Sequence, residues 1–350
     1  MGKRCPSLRT RALLAIGALL VATCALAQGA PAGLRADVVF TQVSPLSSNP
    51  ELARRLLSPL AAARIPAMLA RAGKALAEQP ISLSQEKFAV FVPSRKPPGG
   101  YGLMVFVPPW DEARLPPGWS PALDRAGMIF VSAERSGNGE TDLGRRAPLA
   151  LLAEQNIVRL YEVDPRRIYV GGFSGGSRVA MRLALAYPDV FRGALLNAGS
   201  DPVATALVPL PPRALFEEAQ EQARLVYVTG DLDTSGRVAD ENSIASMRQW
   251  CVTDVADEIM AGIGHATPDA SAFSRALEAL ERPAPPDPAR LAACRSAIEA
   301  RLEARLGEIE ALIAAGKRDE AAKALADIDR RFGGLAAPRS LELEHELAGS

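Results

Sequence analysis

The sequence predicts an α/β protein: a mostly parallel sheet flanked by helices on both faces, with a helical hairpin at the C-terminal end. Three observations carry this. Between residues 86 and 282, short continuous apolar runs alternate with amphipathic stretches, the pattern of parallel strands buried on both sides. One of those runs leads directly into a glycine-flanked turn and a helix. Beyond a proline-rich break, Ala, Leu, Glu and Arg recur at helical spacing. Composition agrees, since 48% of the 350 residues are hydrophobic and 23% charged, as in globular proteins. The 40 basic side chains are matched by 40 acidic ones, which argues against a nucleic-acid binder. Only two histidines occur, so a histidine-rich metal site is not expected. Aromatics, at 5%, are too few for an extended sugar-stacking platform.

The elements follow in order. Lys3, Arg4, Arg9 and Arg11 precede an apolar run over 12–22, and Ala25-Leu26-Ala27 follows. A basic start, a short apolar centre and small residues at alternate positions read as a secretory signal peptide, residues 1–27. Removing it leaves 36 basic against 40 acidic side chains, a mildly acidic protein destined for the periplasm or the exterior. Residues 28–85 form a helical extension: a lead-in over 28–36, a helix opened by Asn49-Pro50, and a second from Pro59 to about Gln79. Strands are expected at 88–92, 102–107, 128–132, 168–170, 194–196 and 225–229, with helices at 147–161, 177–187 and 243–251. Four prolines in 283–288 end this domain, which spans 86–282. Residues 289–350 hold two helices, 289–315 and 317–331, hinged at Gly316. One hairpin is too little for a repeat array, so it is expected to pack on the main domain. Of the four cysteines, Cys5 and Cys24 leave with the signal. Cys251 and Cys294 remain, an even pair in an oxidising compartment, and a disulfide between them is expected.

The chemistry concentrates in Gly171-Gly172-Phe173-Ser174-Gly175-Gly176-Ser177. An apolar strand enters a G-x-S-x-G turn and a helix leaves it. Such a turn raises a serine hydroxyl above the sheet edge, and only glycine fits two residues to either side. The glycines match no phosphate-binding pattern, since no Lys follows Gly176. A serine needs a base to act as a nucleophile. His345 lies among acids near the chain end and reads as a solvated surface residue. His265, in the loop Gly262-Ile263-Gly264-His265-Ala266 after a final strand, is therefore the base. Where a serine sits on such an elbow, the acid lies between serine and histidine in chain order. The strand over 225–229 is followed by Gly230-Asp231-Leu232-Asp233. Asp233 is preferred over Asp231, which is close enough to the strand to fix the turn instead, and Asp240 is a third candidate. An oxyanion hole needs two N–H donors. Gly175 supplies one. The loop after strand 102–107 reads Pro108-Pro109-Trp110, so Trp110 is its first residue able to donate. Arg135, Asn138 and Asp201 sit on loops expected to border the cleft.

Tyr161 to Gly176 and Ala186-Tyr187-Pro188-Asp189-Val190-Phe191 resemble the nucleophile region of the α/β-hydrolase superfamily. The closer resemblance is to the esterase and polyhydroxybutyrate-depolymerase-like group that also contains feruloyl and acetylxylan esterases. It covers roughly residues 86–280. It implies an exported serine esterase acting on small or polymeric esters, with no metal or organic cofactor, in which Ser174, Asp233 and His265 form the triad. One departure stands out: the group usually has His-Gly where this chain has Pro108-Pro109. Alternatives are a serine peptidase on the same fold, or a non-catalytic envelope binding protein that takes a protein partner through its C-terminal helices.

Overall fold

The computed structural model describes residues 1–2 and 32–349. The signal-peptide reading falls on residues outside these. Eight strands form one sheet: β1 (Gly33–Val38), β2 (Phe88–Val92), β3 (Tyr101–Val107), β4 (Met128–Ala133), β5 (Val163–Phe173), β6 (Gly193–Asn197), β7 (Arg224–Gly230) and β8 (Val255–Met260). Their order across the sheet is β1-β2-β4-β3-β5-β6-β7-β8. β2 runs antiparallel to both its neighbours, and every pair from β4 to β8 is parallel.

The helices are α1 (Asn49–Leu56), α2 (Pro59–Arg71), α3 (Ser120–Ala126), α4 (Ala147–Leu160), α5 (Gly175–Ala186), α6 (Arg213–Gln222), α7 (Thr234–Gln249), α8 (Ala270–Leu280), α9 (Pro288–Ala314), α10 (Arg318–Phe332) and α11 (Arg339–Gly349). The middles of the central strands are apolar on both faces because helices cover both. Leu103, Val105 and Val107 of β3 enter one buried cluster with α4 and α5. Met104 and Phe106 enter another with Trp119, Leu123 and Phe273, and Trp119 stacks on Phe273 with centroids 3.8 Å apart. Alternate residues of one strand thus feed two cores.

The sequence reading omits α3, α6 and α8 and starts β5 and α7 late, and three further differences lie at the margins of the domain. The lead-in over 28–36 is in its second half the edge strand β1, paired antiparallel with β2. Its residues Gly33-Leu34-Arg35-Ala36 alternate in exposure, as suits a strand on the sheet margin, and lack a continuous apolar run. α2 ends at Arg71 rather than near Gln79, because Gly73 turns left-handed at φ +64° and Lys74 N–H reaches back to the Leu69 carbonyl at 2.9 Å. The C-terminal region holds a third helix, α11, which returns to α2 through an Arg64–Glu344 ion pair at 2.7 Å.

The expected hinge at Gly316 (φ +72°) separates α9 from α10. Ile298, Leu302, Leu325, Ile328 and Leu343 lie in the same buried cluster as α5 and β3, so these helices extend the core of one sheet face. Cys251, just past α7, is bonded to Cys294 of α9. Trp250 meets Phe332 edge-on at 5.6 Å. Among the described residues, no helix is long and apolar enough to cross a membrane.

Candidate active site

Ser174, Asp233 and His265 follow β5, β7 and β8, all at the C-terminal edge of the parallel sheet, where ligands of open α/β sheets bind. The turn at Ser174 is built by backbone proximity. A Cβ at Gly172 would lie 2.2 Å from the Gly176 carbonyl carbon, and one at Gly176 only 1.9 Å from the Val107 carbonyl oxygen. Both positions therefore exclude any side chain. Ser174 itself adopts φ 54°, ψ −119°, a left-handed conformation that costs a residue with a side chain about 1–3 kcal/mol. Its N–H is held by the Asn197 carbonyl of β6 at 2.8 Å. α5 begins at the next residue, so its first N–H groups and dipole end face the hydroxyl.

The loops after β7 and β8 are stitched together. Leu232 N–H donates to the Ile263 carbonyl at 3.0 Å, and Asp231 Oδ1 accepts from Gly262 N–H at 2.8 Å. Asp231 thus secures the histidine loop. Asp233, the next acid, caps α7 by accepting from Gly236 N–H at 3.0 Å. Its other oxygen, Oδ2, lies 2.6 Å from His265 Nδ1. Burial raises the carboxyl pKa, but hydrogen bonds from His265, Gly236 and Ser235 outweigh it and leave the acid below its ordinary value. An ionised carboxylate can only accept, so Nδ1 carries the proton and Nε2 is left as the acceptor. Nε2 stands 3.0 Å from Ser174 Oγ. Asp233 is 4% exposed and the imidazole 48%, so the carboxylate is buried beneath a ring that is open to solvent. Phe173 packs against the imidazole, with centroids 4.9 Å apart.

Asp240 lies deeper. It accepts from Ser200 N–H at 2.9 Å and from the Thr229 hydroxyl, and burial pushes its pKa up to about 6. It braces the β6 and β7 ends and does not meet the imidazole. His345 is exposed on α11.

Trp110 belongs to an aromatic chain beside the serine, its ring 6.1 Å from Phe173 and 6.3 Å from Phe106, with the Arg114 guanidinium 4.1 Å over its face. Its indole N–H is buried without a partner. Asn138 stands against the elbow: a Cβ on Gly175 would come within 2.2 Å of its Oδ1. Arg135 and Asp201 carry their charges into ion pairs. Arg135 binds Glu86 at 3.0 Å, and Asp201 binds Arg178 at 3.2 Å.

Sequence reasoning missed two supporting residues. Arg146 is buried and donates to the Pro108 carbonyl at 3.1 Å and the Ser136 carbonyl at 3.0 Å, clamping together the two loops that carry Trp110 and Asn138. Asn197 donates to the Ala266 carbonyl at 3.3 Å, tying the histidine loop to β6. Neither lies in a recognisable motif, because their partners are distant in sequence.

No protein-family model matches the chain, and no curated protein is similar to it at a significant level. Among solved structures, an S-formylglutathione hydrolase of Staphylococcus aureus is similar over 56% of this chain and 93% of its own, at 13% identity and TM-score 0.44. A poly(3-hydroxybutyrate) depolymerase of Bordetella parapertussis is similar over 60% of this chain and 88% of its own, at 18% identity and TM-score 0.41. A ferulic acid esterase is similar over 56% and 90%, at 17% identity and TM-score 0.40. The mostly parallel eight-stranded sheet, the strand–turn–helix at residue 174 and helices on both faces make this an α/β-hydrolase fold.

Proposed function

We propose that this chain is an exported serine hydrolase that cleaves carboxylic esters. The observation that carries the reading is the continuous relay from Asp233 Oδ2 through the imidazole to Ser174 Oγ, at 2.6 Å and 3.0 Å. Ser174 Oγ attacks the ester carbonyl while His265 Nε2 takes its proton. Asp233 holds the imidazole in the required tautomer and stabilises the imidazolium. The N–H of Gly175 and a donor from Trp110 face the tetrahedral oxyanion. The imidazolium then protonates the leaving alcohol, and water, deprotonated by the same base, releases the acid from the acyl-enzyme. The Cys251–Cys294 bond supports the exported reading, because such bonds persist in oxidising compartments.

A binding-only role has one observation in its favour, the two prolines where N–H donors are expected. The test separates the two. A fluorophosphonate probe is expected to label Ser174, and Ser174→Ala to lose both labelling and hydrolysis of p-nitrophenyl acetate. Equal, slow hydrolysis by wild type and Ser174→Ala would remove the catalytic assignment.

A further inference from the structure

A cavity of about 220 Å³ opens where α1, α5 and α10 meet. It shares no residue with the Ser174 site. Leu56, Leu143, Val179 and Leu183 give it an apolar wall, and Leu207, 70% exposed, forms one lip open to solvent. Its polar lining is almost wholly engaged. Asp329 accepts from Leu60 N–H at 3.0 Å and from the Ser58 hydroxyl, and Arg330 pairs with Asp327.

Arg182 is the exception. Its Nη1 donates to Asp142 at 2.8 Å and its Nη2 stands 3.8 Å from Asp201, yet its Nε is buried and makes no hydrogen bond. Of the buried side-chain polar atoms lacking a partner among the described residues, Arg182 Nε alone belongs to this cavity's lining. Arg146, Arg178 and Arg182 share two carboxylates, Asp142 and Asp201, at 3.3, 3.2 and 2.8 Å for the three closest contacts. Asp329 lines the same cavity as a third carboxylate, so the unmet demand is that of the Arg182 Nε–H itself, and a buried N–H of a cation is costly to leave unmade.

We propose that this cavity binds a small aliphatic carboxylate, with its charge on Arg182 and its chain against the leucine wall. An apolar pocket with one convergent charged donor has the anatomy of a small-molecule site. Its size sets the length: a cavity of roughly 150 Å³ accepts benzene, so this one suits a chain of about six to eight carbons. An uncharged chain of the same length satisfies the leucines but adds no anionic acceptor for the Arg182 Nε–H, so the acid is preferred to the alcohol.

The test uses the full-length protein and octanoate. Titration calorimetry is expected to give saturable binding, at least tenfold tighter for octanoate than for 1-octanol. A photoreactive diazirine analogue of octanoate is expected to label the peptides containing Leu143, Val179 or Leu207. Arg182→Gln should weaken binding at least tenfold. Leu207→Trp, at the exposed lip and away from the ion pairs, should narrow the mouth and do the same, and it serves if Arg182→Gln fails to fold. Ser174→Ala should leave binding unchanged, so the result stands whether or not the chain is an esterase. Labelling confined to peptides around Ser174 and His265, equal affinity for acid and alcohol, or unchanged binding in both cavity variants would overturn the proposal.

Discussion

Glu154 offers a quantitative test of how the helix layer is packed. It lies buried on α4, and burial first, then the charge of Asp189, pushes its carboxyl up to about 7 from the ordinary 4.5. Asp189 is itself held by Arg55 at 2.6 Å, so no cation remains for Glu154 there. A carboxyl whose pKa is higher in the folded than in the unfolded chain keeps its proton longer when folded. Between pH 4.5 and 7 the folded state binds more protons, so stability falls as pH rises through that window. The shift corresponds to about 3 kcal/mol once both states are ionised, at 1.36 kcal/mol for each unit. Glu154→Gln removes the ionisation and keeps the shape. Its stabilisation should therefore grow from under about 1 kcal/mol at pH 5 to about 3 kcal/mol at pH 8. Urea denaturation of both proteins at the two pH values measures this directly. A gain from Glu154→Gln that is the same at pH 5 and pH 8 would show that the side chain is not titrating in a buried site.

Other consequences follow from the same geometry. Asp233→Asn keeps an acceptor for the α7 cap but turns an amide toward Nδ1, so kcat should fall about 10⁴-fold with KM little changed; a loss under tenfold would mean that the acid does not orient His265. Gly176→Ala drives a Cβ into the Val107 carbonyl oxygen at 1.9 Å. It should cost about 1–3 kcal/mol in unfolding free energy and at least about 100-fold in turnover, whereas Gly307→Ala, with nothing within 4 Å, should be neutral or stabilising by up to about 1 kcal/mol. The disulfide closes a loop with a sequence separation of 43, which in the chain-entropy treatment constrains the unfolded state by about 4 kcal/mol. Cys251→Ser with Cys294→Ser should lower the urea midpoint accordingly, and an unchanged midpoint would show that the bond adds no constraint.

Local signals were the legible ones. The elbow at Ser174 is written in five consecutive residues, because strand, turn and helix are neighbours in the chain. His265 was legible as a candidate through scarcity, since the chain has two histidines and the other lies in an acidic terminal helix. The choice between Asp231 and Asp233 was harder, as both follow the same strand. It turns on the β7 and β8 loops, where Asp231 takes Gly262 N–H and Asp233 takes the imidazole. Edge strand β1 escaped notice because a half-exposed strand carries no continuous apolar run.

What the chain order alone determined is the alternation of buried strands with amphipathic helices and the strained serine turn, since both arise from contacts within a few residues. Only the tertiary structure decided which acid meets His265, that Arg146 clamps the Pro108 and Ser136 loops, that Asn138 abuts Gly175, and that α11 closes back on α2. Those contacts join segments tens to hundreds of residues apart. Their partners are selected by how the sheet and its covering helices pack, and no spacing along the sequence encodes that choice.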